Sequence, residues 1–374
     1  MKINVAIIFG GNSVEHEISI LSSIQVSYAI DKSKYDVSYI YITKDNRFLV
    51  GPNFDNIETF KKNEFKGYEV TFYKKKNELR LKGIGYVPRK YLKKIDVVLP
   101  IVHGKNVEDG VLAGFFKLFN VPYASCDVLA ASISQNKIVT KKVLEQYKVD
   151  VVTGYSFTSK EFSDDVFKVL EDCNNLGYPL IIKPATLGSS IGIKIANNHD
   201  ELVDSINYAL KYDEYILVEK KLEKFREFNQ AILGDVEEYK LSNIEEVKNS
   251  GTWLTFSDKY TSNDSIRDLS VVLSDELKNK IEETSKKVLK ALNTKGVVRI
   301  DYLYDIESNM LYVNEVNTIP GSLGFYLFEN ALSFTELIDT LIRRAVKNHY
   351  INNLKINTFN SNVLTQNNLK KQKK

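Results

Sequence analysis

The N-terminal part of the chain alternates between short apolar runs and longer amphipathic segments. The apolar runs INVAIIF and IDVVLPIVHG are typical of buried strands, and YDVSYIYIT predicts a further strand between them. EISILSSIQVSYAID and VLAGFFKLFN have helical patterns between and after them. This alternation predicts an α/β domain with a parallel sheet over residues 1–132, into which residues 50–95 are inserted as polar hairpins.

The rest of the chain predicts two α+β lobes and a tail. Residues 133–222 open on the amphipathic helix KIVTKKVLEQYKV and contain two strands around a loop of small residues. Residues 223–350 contain a long helix and a hairpin at 297–318, and the stretch at about 245–268 lacks helix or strand period and is expected to be a loop. Residues 351–374, rich in Asn and Lys, are expected to be a disordered tail.

The predicted hairpin carries four polar side chains on one face. If its turn centres on Ser308, Asp301 lies opposite Glu315 and Arg299 lies opposite Asn317. Two carboxylates, an amide and a guanidinium on one face are costly to bury unless something binds there. Oxygen ligands without histidine or cysteine suit magnesium, which often arrives with nucleotide phosphates. The alternative is a salt-bridged face exposed to solvent. The opposite face is expected to be core: Val298, Ile300, Tyr302, Tyr312 and Val316.

The loop KPATLGSSIGI indicates an anion site between two strands. Glycine and serine, including Ser190, let backbone amides approach phosphate oxygens, and Lys183 adds a charge. The loop is neither a GxxxxGK[ST] phosphate loop nor a GxGxxG dinucleotide fingerprint, so an ordinary hairpin turn is the alternative.

Composition narrows the class of protein. The net charge is +3 from 51 basic and 48 acidic residues, which gives no argument for nucleic acid as a partner. Two cysteines are too few for a disulfide framework, and four histidines are too few for a histidine-rich metal site. No apolar run reaches the length of a membrane span, so we expect a cytoplasmic protein.

The motifs together resemble the D-alanine–D-alanine ligases, which are ATP-grasp enzymes. The resemblance covers about residues 1–345 and rests on motifs in the family's order and rough spacing: GGNSVEHEIS, HGKNVEDG, QNK, IIKPATLGSSIGI, LVEKKLEKFREF, SDKY, VVRIDYLYD and VNEVNTIPG. It implies an N-terminal pre-ATP-grasp domain followed by a two-lobed ATP-grasp fold, two Mg²⁺ or Mn²⁺ ions, and a homodimer. It also implies that two D-amino acids are joined through an acyl phosphate for peptidoglycan synthesis.

The resemblance assigns the nucleotide and metal residues position by position. Lys137, Lys183 and Ser190 match phosphate contacts, Glu219 and Leu222 match the hinge beside the adenine, Glu227 matches the ribose ligand, and Trp253 matches an aromatic near the adenine. Asp301, Glu315 and Asn317 match the metal ligands. Arg299 and the amide of Gly321 match the groups that stabilise the oxyanion.

The resemblance also assigns the amino-acid subsites. Glu15 matches the anchor for the first ammonium group, Ser189 and Tyr260 the residues linked to it, and His103 the active-site histidine. Lys259, in the loop that closes over the intermediate, matches a ligand of the second carboxylate. Without the resemblance, Glu15 reads as an ordinary glutamate at a helix N-terminus, His103 as structural, and Trp253 equally well as loop packing.

Departures from the family concentrate at the second subsite. Phe325 and Tyr326 stand where a serine is usual, and either Tyr326 or Ser322 is expected to take its place. Two further departures are Ala113, where glutamine is usual, and Lys221 at the hinge. A tyrosine at 260 favours an amine nucleophile and therefore a dipeptide product. The alternatives are a ligase that uses D-serine or another D-amino acid second, and a non-catalytic ATP-binding protein.

Overall fold

The computed structural model describes residues 2–61, 66–248, 266–269, 271–329 and 331–361. In these residues the chain forms three sheets that follow one another along the sequence. The helices that pack on them are α1 (His16–Ala29), α2 (Glu58–Lys61), α3 (Val111–Leu118), α4 (Val128–Gln135), α5 (Lys137–Gln146), α6 (Ser159–Asp164), α7 (Val166–Asn174), α8 (His199–Ala209), α9 (Asp275–Leu292) and α10 (Phe334–Asn353).

The first sheet has the strand order β6-β5-β4-β3-β2-β1-β7. Its strands are β1 (Ile3–Gly10), β2 (Tyr35–Ile42), β3 (Phe48–Val50), β4 (Tyr68–Lys75), β5 (Glu78–Gly83), β6 (Lys94–Ile95) and β7 (Val97–Pro100). The expected parallel sheet is present in β2, β1 and β7, and β1 is buried along Val5–Phe9 because both of its faces are covered. The polar insertion extends this sheet with antiparallel strands and a β4–β5 hairpin. Residues 121–125, VPYAS, add only a single isolated bridge to this sheet, between Val98 and Tyr123.

The second sheet is antiparallel, with the order β10-β9-β11-β8. It consists of β8 (Gly154–Thr158), β9 (Leu180–Pro184), β10 (Lys194–Ala196) and β11 (Tyr215–Lys220). The loop of small residues connects β9 and β10, as the sequence predicts. The side chains of this sheet and of α6, α7 and α8 form a hydrophobic cluster of their own, with Phe157, Ile182 and Ile206 in its interior.

The third sheet is also antiparallel, with the order β14-β13-β12-β15-β16. It consists of β12 (Phe225–Gly234), β13 (Tyr239–Lys248), β14 (Ile266–Asp268), β15 (Gly296–Asp305) and β16 (Met310–Asn317). The hairpin β15–β16 has the predicted pairs, Asp301 with Glu315 and Arg299 with Asn317. Tyr312 is wrong as a core residue, because a bulge after Asp301 turns Leu311 and Val313 to the buried face instead.

Several predicted boundaries are displaced in the structure. The boundary at 132/133 falls inside α4, and Leu144 of α5 is buried in the core of the third sheet rather than of the second. Both ends of the predicted loop at 245–268 are strands, because residues 245–248 belong to β13 and residues 266–268 to β14. The C-terminal helix continues three residues past 350, to Asn353. Among the helices described, none is long and apolar enough to cross a membrane.

Candidate active site

The turn after β1 brings Glu15 to the carboxyl edge of the parallel strands. Gly10 and Gly11 both have positive φ, +93° and +99°, and a Cβ on Gly10 would lie 2.2 Å from the carbonyl oxygen of Ile42. Only glycine can therefore make this turn. Glu15 then occupies the position before α1, which begins at His16.

Glu15 meets the loop of small residues from the second sheet. The Ser189 hydroxyl donates to Oε1 of Glu15, so these two predicted site residues lie side by side. Ser189 and Ser190 both have positive φ, 54° and 58°, and both are partly exposed. The Lys137 ammonium group at the start of α5 donates to the Leu187 carbonyl at 2.6 Å, and this contact connects α5 to the loop.

A cavity opens where the loop, the first domain and the hairpin β15–β16 converge. Its polar lining comes from all three sheets and their loops: Glu15, Glu108, Gln135, Lys137, Ser189, Asn314, Glu315 and Asn317. Lys137 Nζ lies 4.0 Å from Oε2 of Glu315, so the cation from α5 faces the carboxylate on β16. Residues that the sequence assigns to the first amino acid, the phosphates and the metal thus border one space.

The guanidinium of Arg299 and the carboxylate of Asp301 form a two-point ion pair. Nε donates to Oδ1 at 2.6 Å and Nη2 to Oδ2 at 2.8 Å, while the Asn317 amide donates to Oδ2 at 3.1 Å. Burial acts to lower the pKa of Arg299, but Asp301 outweighs it and holds the pKa well above its usual value. Arg299 is therefore a fixed positive charge on this face.

The oxygen-bearing side chains of the hairpin suit a divalent cation. Asp301 and Glu315 are paired across the two strands, and Asn317 follows two positions later on the same face. Two carboxylates and an amide are the donors that Mg²⁺ and Mn²⁺ prefer. In the described residues no group of three His, Cys, Asp or Glu side chains is placed to hold a metal. The third protein ligand of the metal would therefore be the amide oxygen of Asn317.

The bulge adds Asn314 to the site, which the sequence reading missed. Asp301 pairs with Glu315 but Tyr302 pairs with Val313, so Asn314 is the extra residue. Lys183 Nζ donates to its Oδ1 at 3.3 Å, and Asn314 lines the cavity. The sequence LYVNEVN does indicate this bulge, because the spacing between its leucine and valine residues changes from two positions to three.

A second cavity lies between β11, β12 and the edge of β9. Its walls include the predicted nucleotide residues Lys183, Glu219, Leu222 and Glu227, and its apolar surfaces come from Val152, Ile181, Ile195, Val247, Leu303 and Ile306. An apolar slot with a carboxylate at its end fits a flat heterocycle joined to a ribose. Lys221, the departure noted at the hinge, also lines it.

The buried carboxylate of Glu219 holds two lysines. Lys183 Nζ and Lys141 Nζ each lie 2.5 Å from a different oxygen of Glu219. Burial raises the pKa of Glu219, but the two ammonium groups overcome it and lower the pKa to about 2. Lys141 was not predicted. It stands four positions after Lys137 on α5, a spacing that places two residues on one side of a helix.

His103 is buried at the junction of the first and third sheets. Nδ1 contacts the Ile319 carbonyl at 2.8 Å, and Nε2 contacts the Ser22 hydroxyl at 3.2 Å. Burial lowers the pKa of His103, so the ring is neutral at pH 7. Ser22 also accepts from the Ser322 amide at 3.0 Å, so His103 and Ser22 fix the backbone on both sides of Gly321.

Glu108 is a further site residue that the sequence reading quoted but did not assign. It accepts from the amides of Gly104 at 2.7 Å and Ile319 at 3.3 Å, joining the first domain to the turn after β16. Burial, with help from Glu15, raises the pKa of Glu108 to about 8. The carboxyl group is therefore largely protonated at pH 7.

The side chains of the segment after Pro320 have different surroundings. Phe325 stacks on Phe334, with ring centroids 4.3 Å apart, and so belongs to the packing of α10. The Ser322 hydroxyl donates to Gln25, away from the hairpin. The Tyr326 hydroxyl is buried, and the ring lies near Arg299, whose pKa it helps to raise. A Cβ on Gly321 would meet nothing within 4 Å, so this residue faces open space.

Three predicted site residues, Trp253, Lys259 and Tyr260, lie outside the described part of the chain. Their roles stay predictions.

Comparison with known proteins decides the family. Residues 4–126 match the family model described as D-ala D-ala ligase N-terminus, and residues 143–343 match D-ala D-ala ligase C-terminus. The chain belongs to the D-alanine–D-alanine ligase family. Similar relatives of this ligase-family chain include two that are named D-alanine–D-alanine ligase. The relative from Thermosipho melanesiensis is 35% identical, over 97% of this chain and 98% of its own length. The one from Clostridium acetobutylicum is 36% identical, over 92% and 98%.

Solved structures agree on the fold of this ligase-family chain. The VanG D-Ala:D-Ser ligase of Enterococcus faecalis has a TM-score of 0.80 and 29% identity, covering 92% of this chain and all of that structure, 100%. The D-alanine–D-alanine ligase of Coxiella burnetii has a TM-score of 0.80 at 24% identity, covering 100% and 99%. A Bacillus anthracis ligase solved with ATP has a TM-score of 0.68 at 24% identity, covering 94% and 99%. The predicted ATP-grasp fold is confirmed.

Proposed function

We propose that this protein joins two molecules of D-alanine into D-alanyl-D-alanine and converts ATP to ADP and phosphate. The observation that carries the proposal is the shared cavity. Glu15 with Ser189, Lys137 and the hairpin carboxylate Glu315 border one space, so an ammonium anchor, a phosphate-binding cation and a metal ligand act on the same reactants. The ligase relatives described above support the same chemistry.

In the first step a carboxylate oxygen of the first D-alanine attacks the γ-phosphorus of ATP. The bond from that phosphorus to the β-γ bridging oxygen breaks, which gives an acyl phosphate and ADP. Glu15 is suited to the ammonium group of this substrate, because its carboxylate is held by Ser189 at the mouth of the parallel strands. Lys137 and Lys183 are suited to the phosphates, since point cations counter the charge of the transferring group.

In the second step the amine of the second D-alanine attacks the acyl carbon, and the amide bond forms as phosphate leaves. The tetrahedral intermediate carries a negative oxygen. Arg299 is a fixed cation held in place by Asp301, and a Cβ on Gly321 would meet nothing within 4 Å. We assign the guanidinium of Arg299 and the amide of Gly321 to that oxygen. A donor of this type contributes roughly 3–4 kcal/mol to transition-state stabilisation.

Asp301, Glu315 and Asn317 would hold the divalent ions. Bound there, Mg²⁺ or Mn²⁺ would neutralise the charge that spreads over the phosphoryl group. Two contacts within the chain orient these oxygen ligands. Asn317 donates to Asp301, and Lys137 faces Glu315.

The nucleotide would lie in the cavity between β11 and β12. Its apolar walls, Ile181 and Leu303 among them, suit the adenine ring, the backbone near Glu219 and Leu222 suits its edge, and Glu227 suits the ribose hydroxyls. Lys183 lines the same cavity and also contacts Asn314 of the first cavity, so a triphosphate can run from one to the other. Trp253, Ser190, Lys259 and Tyr260 keep the roles that the resemblance implies.

At the second substrate we assign the carboxylate to Tyr326 together with Lys259. The Tyr326 ring lies near Arg299, whereas Phe325 packs on Phe334 and Ser322 binds Gln25, so only Tyr326 of these three is on the side of the reaction. Tyr326 is bulkier than the serine usual in the family. This, with the likeness to a D-Ala:D-Ser ligase, makes D-alanyl-D-serine formation the second candidate function.

The test is product analysis with purified protein, ATP, Mg²⁺ and equal amounts of D-alanine and D-serine, read by mass spectrometry. D-alanyl-D-alanine as the main product supports the proposal. D-alanyl-D-serine in excess replaces it with the second candidate, and absence of any dipeptide above the no-ATP control contradicts both. We place the reaction in the cytoplasm, in peptidoglycan precursor synthesis, and the homodimer stays a prediction.

A further inference from the structure

Three charged side chains are buried together at the end of the nucleotide cavity. The side chains of Lys141, Glu219 and Lys183 are exposed by only 8%, 2% and 4%, and each lysine lies 2.5 Å from its own oxygen of Glu219. They come from three different elements, α5, β11 and β9. Burying three charges is expensive, and packed apolar groups in place of the whole set are often no less stable.

The two lysines of this cluster have different surroundings. Lys183 lines the nucleotide cavity and reaches Asn314 on β16, next to the hairpin carboxylates. Lys141 does not line that cavity, and its ammonium group contacts Glu219 from the side of α5. Burial lowers the pKa of Lys141, although Glu219 counteracts it. Lys141 therefore acts on a ligand only through Glu219.

The net charge of the cluster explains how Lys141 can affect the binding of the nucleotide. Two lysines and one glutamate leave one net positive charge facing the nucleotide. Without Lys141, Glu219 and Lys183 would form a neutral pair, and Lys183 would be held by the whole charge of the carboxylate. A neutral pair attracts a triphosphate much less than a cation does, especially at a site shielded from water.

We propose that Lys141 is a positioning residue for ATP: by sharing the charge of Glu219, it weakens the hold of that carboxylate on Lys183, so that the ammonium group of Lys183 can bind the phosphates. This rests on the proposed function only in its use of ATP. Lys141 lines neither of the two cavities, so its effect is expected on nucleotide affinity rather than on the chemical step.

The first test compares Lys141→Met with Lys142→Met. Lys142 is the next residue on α5 and is exposed, so it is a matched control for the loss of one lysine from this helix. Binding of ATP with Mg²⁺ is measured by isothermal titration calorimetry. We expect the dissociation constant to rise about tenfold or more in Lys141→Met, and to change by less than about twofold in Lys142→Met. Lys141→Gln is the second variant if the methionine variant does not fold.

The second test restores the net charge of the cluster without restoring the contact between Lys141 and Glu219. Lys141→Met with Glu219→Gln leaves Lys183 as a single cation, the same net charge as in the unmodified cluster. We expect the double variant to bind ATP more tightly than Lys141→Met alone. A double variant as weak as Lys141→Met would overturn the proposal, because only a packing role would then explain the loss. Unchanged affinity in Lys141→Met or Lys141→Gln would overturn it as well.

These outcomes are separate from the failure of the ligase proposal. Calorimetry measures ATP binding without turnover, so a protein that binds ATP but makes no dipeptide would contradict the ligase function alone. Where turnover occurs, the KM for ATP is expected to rise in Lys141→Met while kcat changes little. A fall in kcat with an unchanged KM would contradict a positioning role.

Discussion

At the scale of single residues, the pair of Glu15 and Ser189 ties the first domain to the second sheet. The contact joins the turn after β1 to the loop between β9 and β10. A charged hydrogen bond of this kind, between a hydroxyl and a carboxylate, contributes about 1.5–3 kcal/mol.

The first prediction concerns this carboxylate. In Glu15→Gln we expect kcat/KM for D-alanine to fall about 100-fold, ~2.7 kcal/mol, because the amide cannot pair with an ammonium charge. Glu17→Gln is the matched control, since Glu17 is exposed and pairs with Lys44 on the surface. Steady-state kinetics at saturating ATP measures both. Equal kinetics in the two variants would remove Glu15 from the site.

The second prediction concerns the carboxyl group of Glu108, which lines the cavity. Its pKa is raised to about 8 in the folded protein against an ordinary value of 4.5, chiefly by burial. A raised acid pKa stabilises the folded state below pH 4.5, and this contribution is lost as pH rises through 8. Glu108→Gln removes the titration. We therefore expect the unfolding free energy to fall between pH 5 and 8 by about 3 kcal/mol more in the unmodified protein than in the variant.

Denaturant unfolding without nucleotide measures this difference across the pH series. Parallel pH profiles in the two proteins would show that Glu108 does not titrate in this range. Glu336→Gln is a control at a fully exposed glutamate, the pKa of which is lowered by Ser333 rather than raised.

At the scale of elements, much of the site geometry follows from sequence periodicity. The pairing of Asp301 with Glu315 follows from alternation and the position of one turn. Alternation alone could not give the bulge at Asn314, since a bulge depends on how the strand packs against its neighbours. Lys141 and Glu108 were missed for a similar reason. Their roles arise from partners distant in sequence, Glu219 and the Ile319 amide, and sequence spacing does not report such contacts.

The third prediction tests the turn that carries His103. Gly104 has φ +81°, and a Cβ there would lie 2.3 Å from Ser13 Oγ and 3.2 Å from Oε2 of Glu15. Gly85 has the same φ, +81°, with nothing within 4 Å, so it is a matched control for backbone strain alone. We expect Gly85→Ala to cost about 1 kcal/mol of stability, and Gly104→Ala to cost more and to raise the KM for D-alanine.

Thermal unfolding and steady-state kinetics of the two alanine variants provide the measurement. Equal stability loss in both, with the KM for D-alanine unchanged in Gly104→Ala, would mean that the turn accommodates a side chain and does not position Glu15.

At the scale of the whole molecule, the hydrophobic clusters do not follow the three sheets one to one. One cluster runs from β1 of the first sheet to Leu233, Leu327 and Leu341 of the C-terminal part. The second sheet, by contrast, buries its side chains in a cluster of its own. The first and third sheets are thus joined through a common core, and polar contacts of the site, Ser189 with Glu15 and Lys183 with Asn314, connect the second sheet to them.

The fourth prediction is that the second sheet is a separate cooperative unit. Ile206 lies inside its cluster, and Ile206→Ala is expected to cost about 2–5 kcal/mol locally. Hydrogen exchange should then accelerate in residues 154–220 and much less elsewhere. Leu341→Ala, in the common core, is the matched control and should accelerate exchange in both other sheets. Acceleration throughout the chain by Ile206→Ala would contradict this division.

The central claim is that the converging cavity activates a carboxylate by phosphorylation, and isotope transfer tests it most directly. D-alanine labelled with ¹⁸O in its carboxylate is incubated with the protein, ATP and Mg²⁺, and the released phosphate is analysed by mass spectrometry. The acyl-phosphate route predicts one ¹⁸O atom in each phosphate, because the attacking oxygen leaves with phosphorus when the amide forms. Dipeptide formation with unlabelled phosphate, or ATP cleavage without dipeptide, would contradict the account.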